Sequence, residues 1–214
     1  VIIVPAMNYP AFKAGKRTSS IDGGNMNRVF PGDPNGTITE IIADYFSRTL
    51  LPLADYVVDI HSGGKTLEFV PFAAAHVLDD KEQQARCVAA MQAFNAPYSM
   101  MLLELDAAHM YDTAAESQGK VFVGTEIGGG GSADATSTKI AKRGILNVLM
   151  HAGILPGEPE RHSSINVDSH DAGCFITCEH SGLLELRNDL GDEVKKGDLI
   201  AVIHDMERTG TAPV

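Results

Sequence analysis

The sequence predicts an α/β fold with a mixed, largely parallel sheet flanked by helices, followed by a small all-β appendage. Strand patterns alternate with helix patterns over residues 1–155, which is typical of parallel strands joined by helical crossovers. After a Pro- and Gly-rich stretch at 156–160, short β patterns separated by turns follow. We therefore predict a main domain at 1–155, a linker at 156–166 and a small β domain at 167–214, which suits a length of 214 residues.

The first part of the chain joins two predicted strands through a long loop and a helix. The β-branched run at 1–4 is predicted as a strand that Pro5 ends. Residues 8–36 are rich in Gly, Pro, Asn, Ser and Asp, so they are predicted as a loop, and long loops in compact domains often carry function. Residues 37–40 (TITE) have the pattern of a capping box and start a helix that ends at Pro52.

The remaining elements continue this alternation. Strands are predicted from short apolar and β-branched runs, and helices from apolar residues at a spacing of three and four. In chain order they are a strand at 56–60, a strand at 67–75, a helix from Asp79 or Asp80 to Phe94, a strand at 98–103, a short helix at 113–117, a strand at 120–127 and a helix at 133–154. Three β runs at 173–178, 182–187 and 199–203 form the predicted appendage.

Charge and cysteine content exclude several classes of function. The chain has 17 Lys and Arg against 28 Asp and Glu, and a net charge of −11 disfavours binding to nucleic acids and to anionic membranes. No apolar run reaches the roughly 18–20 residues of a membrane-spanning helix. Three cysteines and no signal-peptide pattern favour a cytoplasmic protein. The chain starts without Met inside an apolar run, so we expect it to be part of a longer protein.

His61 stands at the end of the strand predicted at 56–60 and precedes a Ser and two glycines. Ligands of parallel α/β sheets gather at this edge, and a His at a strand end can hold a metal ion through one ring nitrogen. Asp59 lies on the same face, because strand side chains alternate. The alternative is a His that only bonds a loop carbonyl.

Glu126 occupies the matching position at the end of the strand at 120–127, before four glycines. Burial at the mouth of a strand raises the pKa of a carboxyl toward the working pH, which makes Glu126 a candidate general acid and base. The alternative is a solvated Glu that caps the next helix.

Arg17 and Arg28 lie in the long loop, and Asn27 precedes the second arginine. A guanidinium meets a carboxylate through two parallel hydrogen bonds, so this loop is suited to binding an amino-acid carboxylate or an oxyanion. We expect both arginines to converge with His61 and Glu126 on one cleft. The alternative is that Arg28 pairs with a loop carboxylate, Asp22 or Asp33, and only shapes the loop.

In this order, the residues resemble the succinylglutamate desuccinylase/aspartoacylase family, a branch of the zinc carboxypeptidase fold. The matching segments are 23–32 (GGNMNRVFPG), 58–64 (VDIHSGG) and 124–129 (GTEIGG), and the resemblance covers nearly the whole chain. It implies a zinc-dependent amidohydrolase that cleaves the amide bond of a small N-acyl amino acid. The sequence of these segments is most similar to the family's Nα-acetyl-diaminobutyrate deacetylase branch.

The resemblance also implies a role for each candidate residue. His61 would be a ligand of a catalytic zinc ion, and Glu126 would be the general base and acid. Arg17 would polarise the scissile carbonyl, and Asn27 with Arg28 would anchor the substrate carboxylate. The family takes two further zinc ligands from an H-x-x-E motif upstream of the first loop arginine. No His or Glu precedes Arg17, so we expect that motif to lie in a part of the protein before this chain.

Two other functions stay open at this point. A non-catalytic protein on the same fold would use His61 and Arg28 to bind a ligand without zinc. A zinc carboxypeptidase that acts on peptides would differ in the size of its pocket.

The segment 182–203 resembles the β-hammerhead of biotinyl and lipoyl domains, but it lacks the hairpin with a modifiable lysine, so we expect a structural appendage. Homo-oligomerisation is left open.

Overall fold

A five-stranded sheet forms the centre of the computed structural model, which describes residues 1–103, 108–169, 172–208, 210 and 212–214. The strands are β1 Tyr56–His61, β2 Phe72–His76, β3 Tyr98–Leu102, β4 Val121–Glu126 and β5 Ile165–Ser169. They lie in the order β1-β4-β2-β3-β5, and three of the four pairings are parallel, whereas β2 and β4 are antiparallel. The predicted α/β class with a largely parallel sheet is confirmed.

Helices cover both faces of this sheet. Within the described ranges they are α1 Tyr9–Ala14, α2 Ile38–Tyr45, α3 Lys81–Phe94, α4 Tyr111–Glu116 and α5 Ala135–His151. The predicted capping box starts α2, because the Thr37 hydroxyl accepts from the Glu40 N–H and the Glu40 carboxylate accepts from the Thr37 N–H at 2.7 Å. The helical path then continues through Phe46–Leu50 and Leu51–Leu53, so the chain reaches β1 without a long loop.

Two apolar clusters lie on opposite faces of the sheet. On one face, α3 and α5 pack against Val121 and Val123 of β4. On the other face, α2, α4 and the loop before α2 pack against Val57 and Phe122. Side chains two residues apart share a strand face, so this second face continues into the ends of β1 and β4, where the predicted site residues lie.

Two predictions for the N-terminal segment are wrong. Residues 1–4 are not a strand, and Val1 and Ile3 are 81% and 80% exposed, since no described strand pairs with them and β-branched residues alone do not make a sheet. The predicted loop at 8–36 contains α1, which begins where the Asn8 side chain accepts from the Ala11 N–H and ends at Gly15 in the left-handed conformation. It also contains a 3₁₀ turn at Met26–Arg28.

The C-terminal part contributes a strand to the central sheet. β5 pairs in parallel with β3, and Ile165 lies opposite Tyr98. The strand predicted at 173–178 is wrong, because the chain forms a 3₁₀ turn at Ala172–Cys174 and then an irregular exposed segment. Two further strands, β6 Leu183–Leu186 and β7 Ala201–His204, form an antiparallel pair. The β-hammerhead appendage and the domain boundaries at 155 and 166 stay predictions.

Across the described ranges, every helix is too short or too polar to cross a bilayer.

Candidate active site

His61 and Glu126 meet at the ends of two neighbouring parallel strands. The register of β1 and β4 places them opposite one another, and the His61 Nδ1 atom lies 4.0 Å from the Glu126 Oε1 atom. Just beyond the strands, the Ile127 N–H donates to the His61 carbonyl at 2.8 Å. The expected convergence of His61 and Glu126 is therefore confirmed, and it follows from strand register.

Asp59 holds the other nitrogen of the His61 ring. Its Oδ2 atom lies 3.0 Å from His61 Nε2, because the two side chains share one face of β1. This hydrogen bond raises the pKa of His61 to about 9, and the Asp59 and Glu126 charges contribute in the same direction. The alternative in which His61 only bonds a loop carbonyl is wrong, and Nδ1 is the ring nitrogen that faces Glu126.

Glu126 is a partly buried carboxyl with one oxygen that has no protein partner. Burial raises its pKa, against the opposing charges of His61 and Arg17. The Oε2 atom is inaccessible to solvent and accepts no hydrogen bond from any described residue. The alternative in which Glu126 caps the next helix is wrong, since Asp134 caps α5 by accepting from the Ser137 N–H at 2.8 Å. An unsatisfied buried oxygen beside His61 is suited to a ligand or a proton.

Arg17 belongs to the same electrostatic environment. It is exposed in the loop that follows α1, and its charge lowers the pKa values of both His61 and Glu126. No contact of Arg17 with His61 or Glu126 is described, so its predicted convergence with them stays a prediction.

Arg28 is exposed and directs its guanidinium to the carbonyl of its own neighbour, Asn27, at 2.5 Å. The two loop carboxylates are occupied elsewhere. Asp22 accepts from the backbone N–H groups of Gly24 and Thr39, and Asp33 accepts from the N–H of Asn35. The alternative in which Arg28 pairs with Asp22 or Asp33 is therefore wrong. No contact with His61 or Glu126 is described for Arg28, so its predicted convergence with them stays a prediction.

Asn27 is fixed by Tyr111, a residue that the sequence reasoning missed. The Asn27 side-chain oxygen accepts from the Tyr111 N–H at 2.7 Å, which leaves the amide nitrogen as the group able to donate to a ligand. The Tyr111 ring packs against Phe30 and Phe122, with centroids 5.0 and 6.0 Å away. Burial, with a smaller effect from the Asp59 charge, raises the pKa of Tyr111 to about 12.

Thr125 is a second residue that the sequence reasoning missed. Its buried hydroxyl accepts from the His61 N–H at 3.1 Å and donates to the Asp59 carbonyl at 3.2 Å. One side chain of β4 therefore binds the backbone of β1 on both sides of Ile60. This contact fixes the position of His61 along β1 relative to Glu126 on β4. The sequence signal that could have indicated Thr125 was its position directly before Glu126, on the strand next to β1.

The Asp59–His61 pair fits one ligand position of a zinc site. A carboxylate on one nitrogen of an imidazole fixes the ring and leaves the other nitrogen free for a metal ion. In the part of the chain that the structure describes, no group of three or more His, Cys, Asp or Glu side chains is arranged to hold a metal ion. Catalytic zinc usually takes three protein ligands and a water, so these residues alone would not complete such a site.

Replacing Asp59 by Asn is expected to lower the pKa of His61 in the metal-free full-length protein. Asn offers no negative charge, so the pKa should fall from about 9 toward the ordinary value of 6.5. Because the folded pKa lies above the unfolded one, the pair stabilises the wild type fully below pH 6.5, and this stabilisation is lost as the pH rises through about 9. NMR titration of the His61 ring measures the change. An unchanged His61 pKa in the variant would show that Asp59 does not cause the shift.

Comparison with known proteins places these residues in a family. Residues 1–152 match the family model described as the succinylglutamate desuccinylase/aspartoacylase catalytic domain. The chain is 56% identical over 216 residues to the N-alpha-acetyl-L-2,4-diaminobutyric acid deacetylase of Halomonas elongata, across 100% of this chain and 63% of that protein.

Solved structures agree with this match. The product-bound structure of the ectoine utilization protein EutE (DoeB) from Ruegeria pomeroyi superimposes with a TM-score of 0.96 at 63% identity, over 99% of this chain and 65% of that one. A succinylglutamate desuccinylase from Silicibacter sp. TM1040 superimposes with a TM-score of 0.95 at 60% identity, over 99% of this chain and 64% of that one. The chain thus spans slightly less than two thirds of the length of these relatives.

Proposed function

The chain belongs to the succinylglutamate desuccinylase/aspartoacylase family, and on that premise we propose that the full-length protein is a zinc-dependent amidohydrolase that deacylates an N-acyl amino acid. One observation carries the proposal. His61 and Glu126 lie 4.0 Å apart at the ends of adjacent parallel strands, with Asp59 bound to the far side of the His61 ring. This arrangement joins a metal-ligand nitrogen to a carboxyl within one water of it, which is the reach that acid–base catalysis requires.

We propose that His61 binds the zinc ion through Nδ1 and that an H-x-x-E motif elsewhere in the full-length protein supplies the other two protein ligands. When bound, zinc polarises the amide carbonyl and acidifies a water molecule. Asp59 keeps the His61 ring oriented by accepting from Nε2–H. Thr125 holds the backbone beneath both residues.

Glu126 acts as the proton carrier in this proposal. Its carboxylate takes the proton of the attacking water and then gives it to the nitrogen of the departing amine. Burial raises the pKa of Glu126, which makes the protonated form accessible at the second step.

The loop residues bind the substrate. Arg17 faces the negative charge that develops on the carbonyl oxygen, a contribution typically worth a few kcal/mol in the transition state. Arg28 and the Asn27 amide nitrogen anchor the free α-carboxylate. Tyr111 supports this anchor by fixing the Asn27 side chain.

N-acetyl-2,4-diaminobutyrate is the first substrate to examine. The Halomonas elongata relative is named as a deacetylase of this compound and shares 56% of the sequence. We propose that the enzyme acts in cytoplasmic amino-acid metabolism, which suits the low cysteine content.

Acetate release by the zinc-loaded full-length protein tests the proposal. We expect turnover of N-acetyl-2,4-diaminobutyrate and little cleavage of dipeptides, which separates a deacylase from a carboxypeptidase. Tight binding of the compound without acetate release would instead support the non-catalytic binding function.

Arg28→Lys is expected to remove the preference of the enzyme for a free α-carboxylate. The fork of two charge-assisted bonds cannot form with an ammonium, so kcat/KM for the acid should fall by a factor equivalent to roughly 2–4 kcal/mol, while the amide analogue should be little affected. Kinetics on the matched acid and amide measure this.

Arg48→Lys is the matched control, because Arg48 is an exposed arginine that pairs with Asp44 one helical turn away. It should leave both substrates unchanged. An acid preference that survives in Arg28→Lys would rule out Arg28 as the carboxylate anchor.

A further inference from the structure

The loops that follow His61 and Glu126 are joined backbone to backbone. The Gly63 N–H donates to the Gly128 carbonyl at 3.0 Å, and the Gly131 N–H donates to the Gly64 carbonyl at 2.7 Å. The Gly130 N–H donates to the Leu67 carbonyl at 3.1 Å. These bonds continue the pairing of β1 and β4 past the ends of both strands. Residues 62–67 and 127–131 are called the paired loops below.

Two glycines of the paired loops enclose one carbonyl oxygen. A Cβ atom built on Gly63 would lie 2.3 Å from the Leu67 oxygen, and one built on Gly129 would lie 2.1 Å from the same oxygen. Real Cβ atoms essentially never approach closer than 3.0 Å, and the obstacle here is backbone that cannot rotate away. Residues 127–131 can therefore approach Leu67 this closely only if position 129 is glycine, and the 62–67 loop can fold its Leu67 carbonyl back onto position 63 only if that position is glycine too.

The other glycines of the paired loops have a different requirement. Gly64 and Gly130 have φ values of 65° and 63°, so they provide left-handed turns. No described atom lies within 4 Å of a Cβ built on Gly64. Gly63 and Gly129 are not in that conformation, and their need for glycine comes from the close approach at Leu67.

This close approach lies beside the candidate catalytic pair. Gly63 is two residues after His61 and Gly129 is three residues after Glu126. The Ile127 N–H, which donates to the His61 carbonyl, connects the strand ends to the paired loops. A side chain at Gly129 would push the loops apart by about 1 Å, and a displacement of this size can cost about 10²-fold in rate.

We propose that Gly63 and Gly129 are positioning residues, which lock the paired loops around the Leu67 carbonyl and thereby set the separation of His61 and Glu126. The proposal rests on the deacylase function for its kinetic consequence. Its structural consequence stands independently of that function. Neither glycine touches the reacting atoms.

Gly129→Ala in the full-length protein tests the proposal. We expect kcat to fall on the order of 10²-fold while KM changes less than about threefold, because the substrate anchor is in another loop. Gly119→Ala is the control. Gly119 precedes β4 at the opposite end, has a φ of 73°, and no described atom lies within 4 Å of a Cβ built there. The control should lower stability through backbone strain and keep kcat within about threefold.

Hydrogen exchange supplies a readout that does not depend on activity. The amides of Gly130 and Gly131 should exchange faster in Gly129→Ala than in the wild type, and should be unchanged in Gly119→Ala. A crystal structure of Gly129→Ala should show His61 Nδ1 and Glu126 Oε1 further apart than 4.0 Å. If the wild type releases no acetate, the deacylase function fails while these two measurements still decide the proposal.

Several results would overturn it. Wild-type kcat in Gly129→Ala is one, and an equal loss of kcat in Gly119→Ala is another, because it would assign the effect to stability alone. Unchanged exchange and an unchanged separation in Gly129→Ala would contradict the lock itself. Gly63→Ala meets the same carbonyl from the other side, so it should reproduce the result if Gly129→Ala does not fold.

Discussion

Glu126→Gln is expected to keep the zinc content of the full-length protein and to lower kcat by a factor on the order of 10²–10⁴. Gln has the shape of Glu and occupies the same partly buried position at the end of β4, so the fold and the neighbouring His61 should be preserved. It cannot take a proton from water and return it to the amine. The loss should therefore appear in kcat, measured as acetate release at saturating substrate.

Glu82→Gln is the matched control for this change. Glu82 is an exposed carboxylate in the first turn of α3, and that helix packs on the opposite face of the sheet. Its replacement should leave kcat unaltered. Near wild-type turnover by Glu126→Gln would show that Glu126 is not the proton carrier and would move the role to a residue elsewhere in the full-length protein.

His61→Ala is expected to have the largest effect, with loss of both bound zinc and turnover. The proposed site takes one of its three protein ligands from His61, and removing a ligand from such a set usually abolishes tight binding at ordinary metal concentrations. The variant should also lose the ion pair to Asp59, which leaves that carboxylate without its partner. Elemental analysis of purified protein gives the zinc content, and acetate release gives the activity.

His162→Ala controls for the loss of an imidazole. His162 is half-exposed, and its ring bonds Glu160 in the segment that follows α5. This variant should retain zinc and turnover. Equal zinc in His61→Ala and the wild type would mean that His61 is not a ligand, and the proposed chemistry would then lack its metal centre.

The pair at the centre of the site could be predicted from sequence because its position depends on local rules. Each residue ends a recognisable strand and precedes glycines, and parallel neighbours place their ends at one edge. The contact between Asp59 and His61 followed from alternation along β1. These inferences needed no knowledge of distant contacts.

Tyr111 could not be found in this way. It begins α4 after Met110, which makes no side-chain cap, so the sequence gives a weak helix signal there. Its importance comes from contacts with Asn27, Phe30 and Phe122, which are distant in sequence or on another element. Such contacts depend on tertiary packing, which residue patterns do not encode.

Which segments pair as strands in the main sheet was equally hard to predict. Residues 1–4 have strong β propensity and form no strand, because propensity is effective only beside a partner. β5 pairs with β3, and the segment just before β5 is held by Asn95. The Asn95 side chain donates to the His162 carbonyl at 3.0 Å and accepts from the His162 N–H at 2.6 Å. That contact joins positions 67 residues apart.

The position of the metal tests the account most directly. Crystals of the full-length protein, measured on both sides of the zinc absorption edge, should give an anomalous difference peak about 2.0–2.1 Å from His61 Nδ1. Glu126 should lie close to that peak without binding it, and Asp59 should still hold Nε2. A zinc peak bonded to other residues and not to His61, or no peak in protein that releases acetate, would contradict the account.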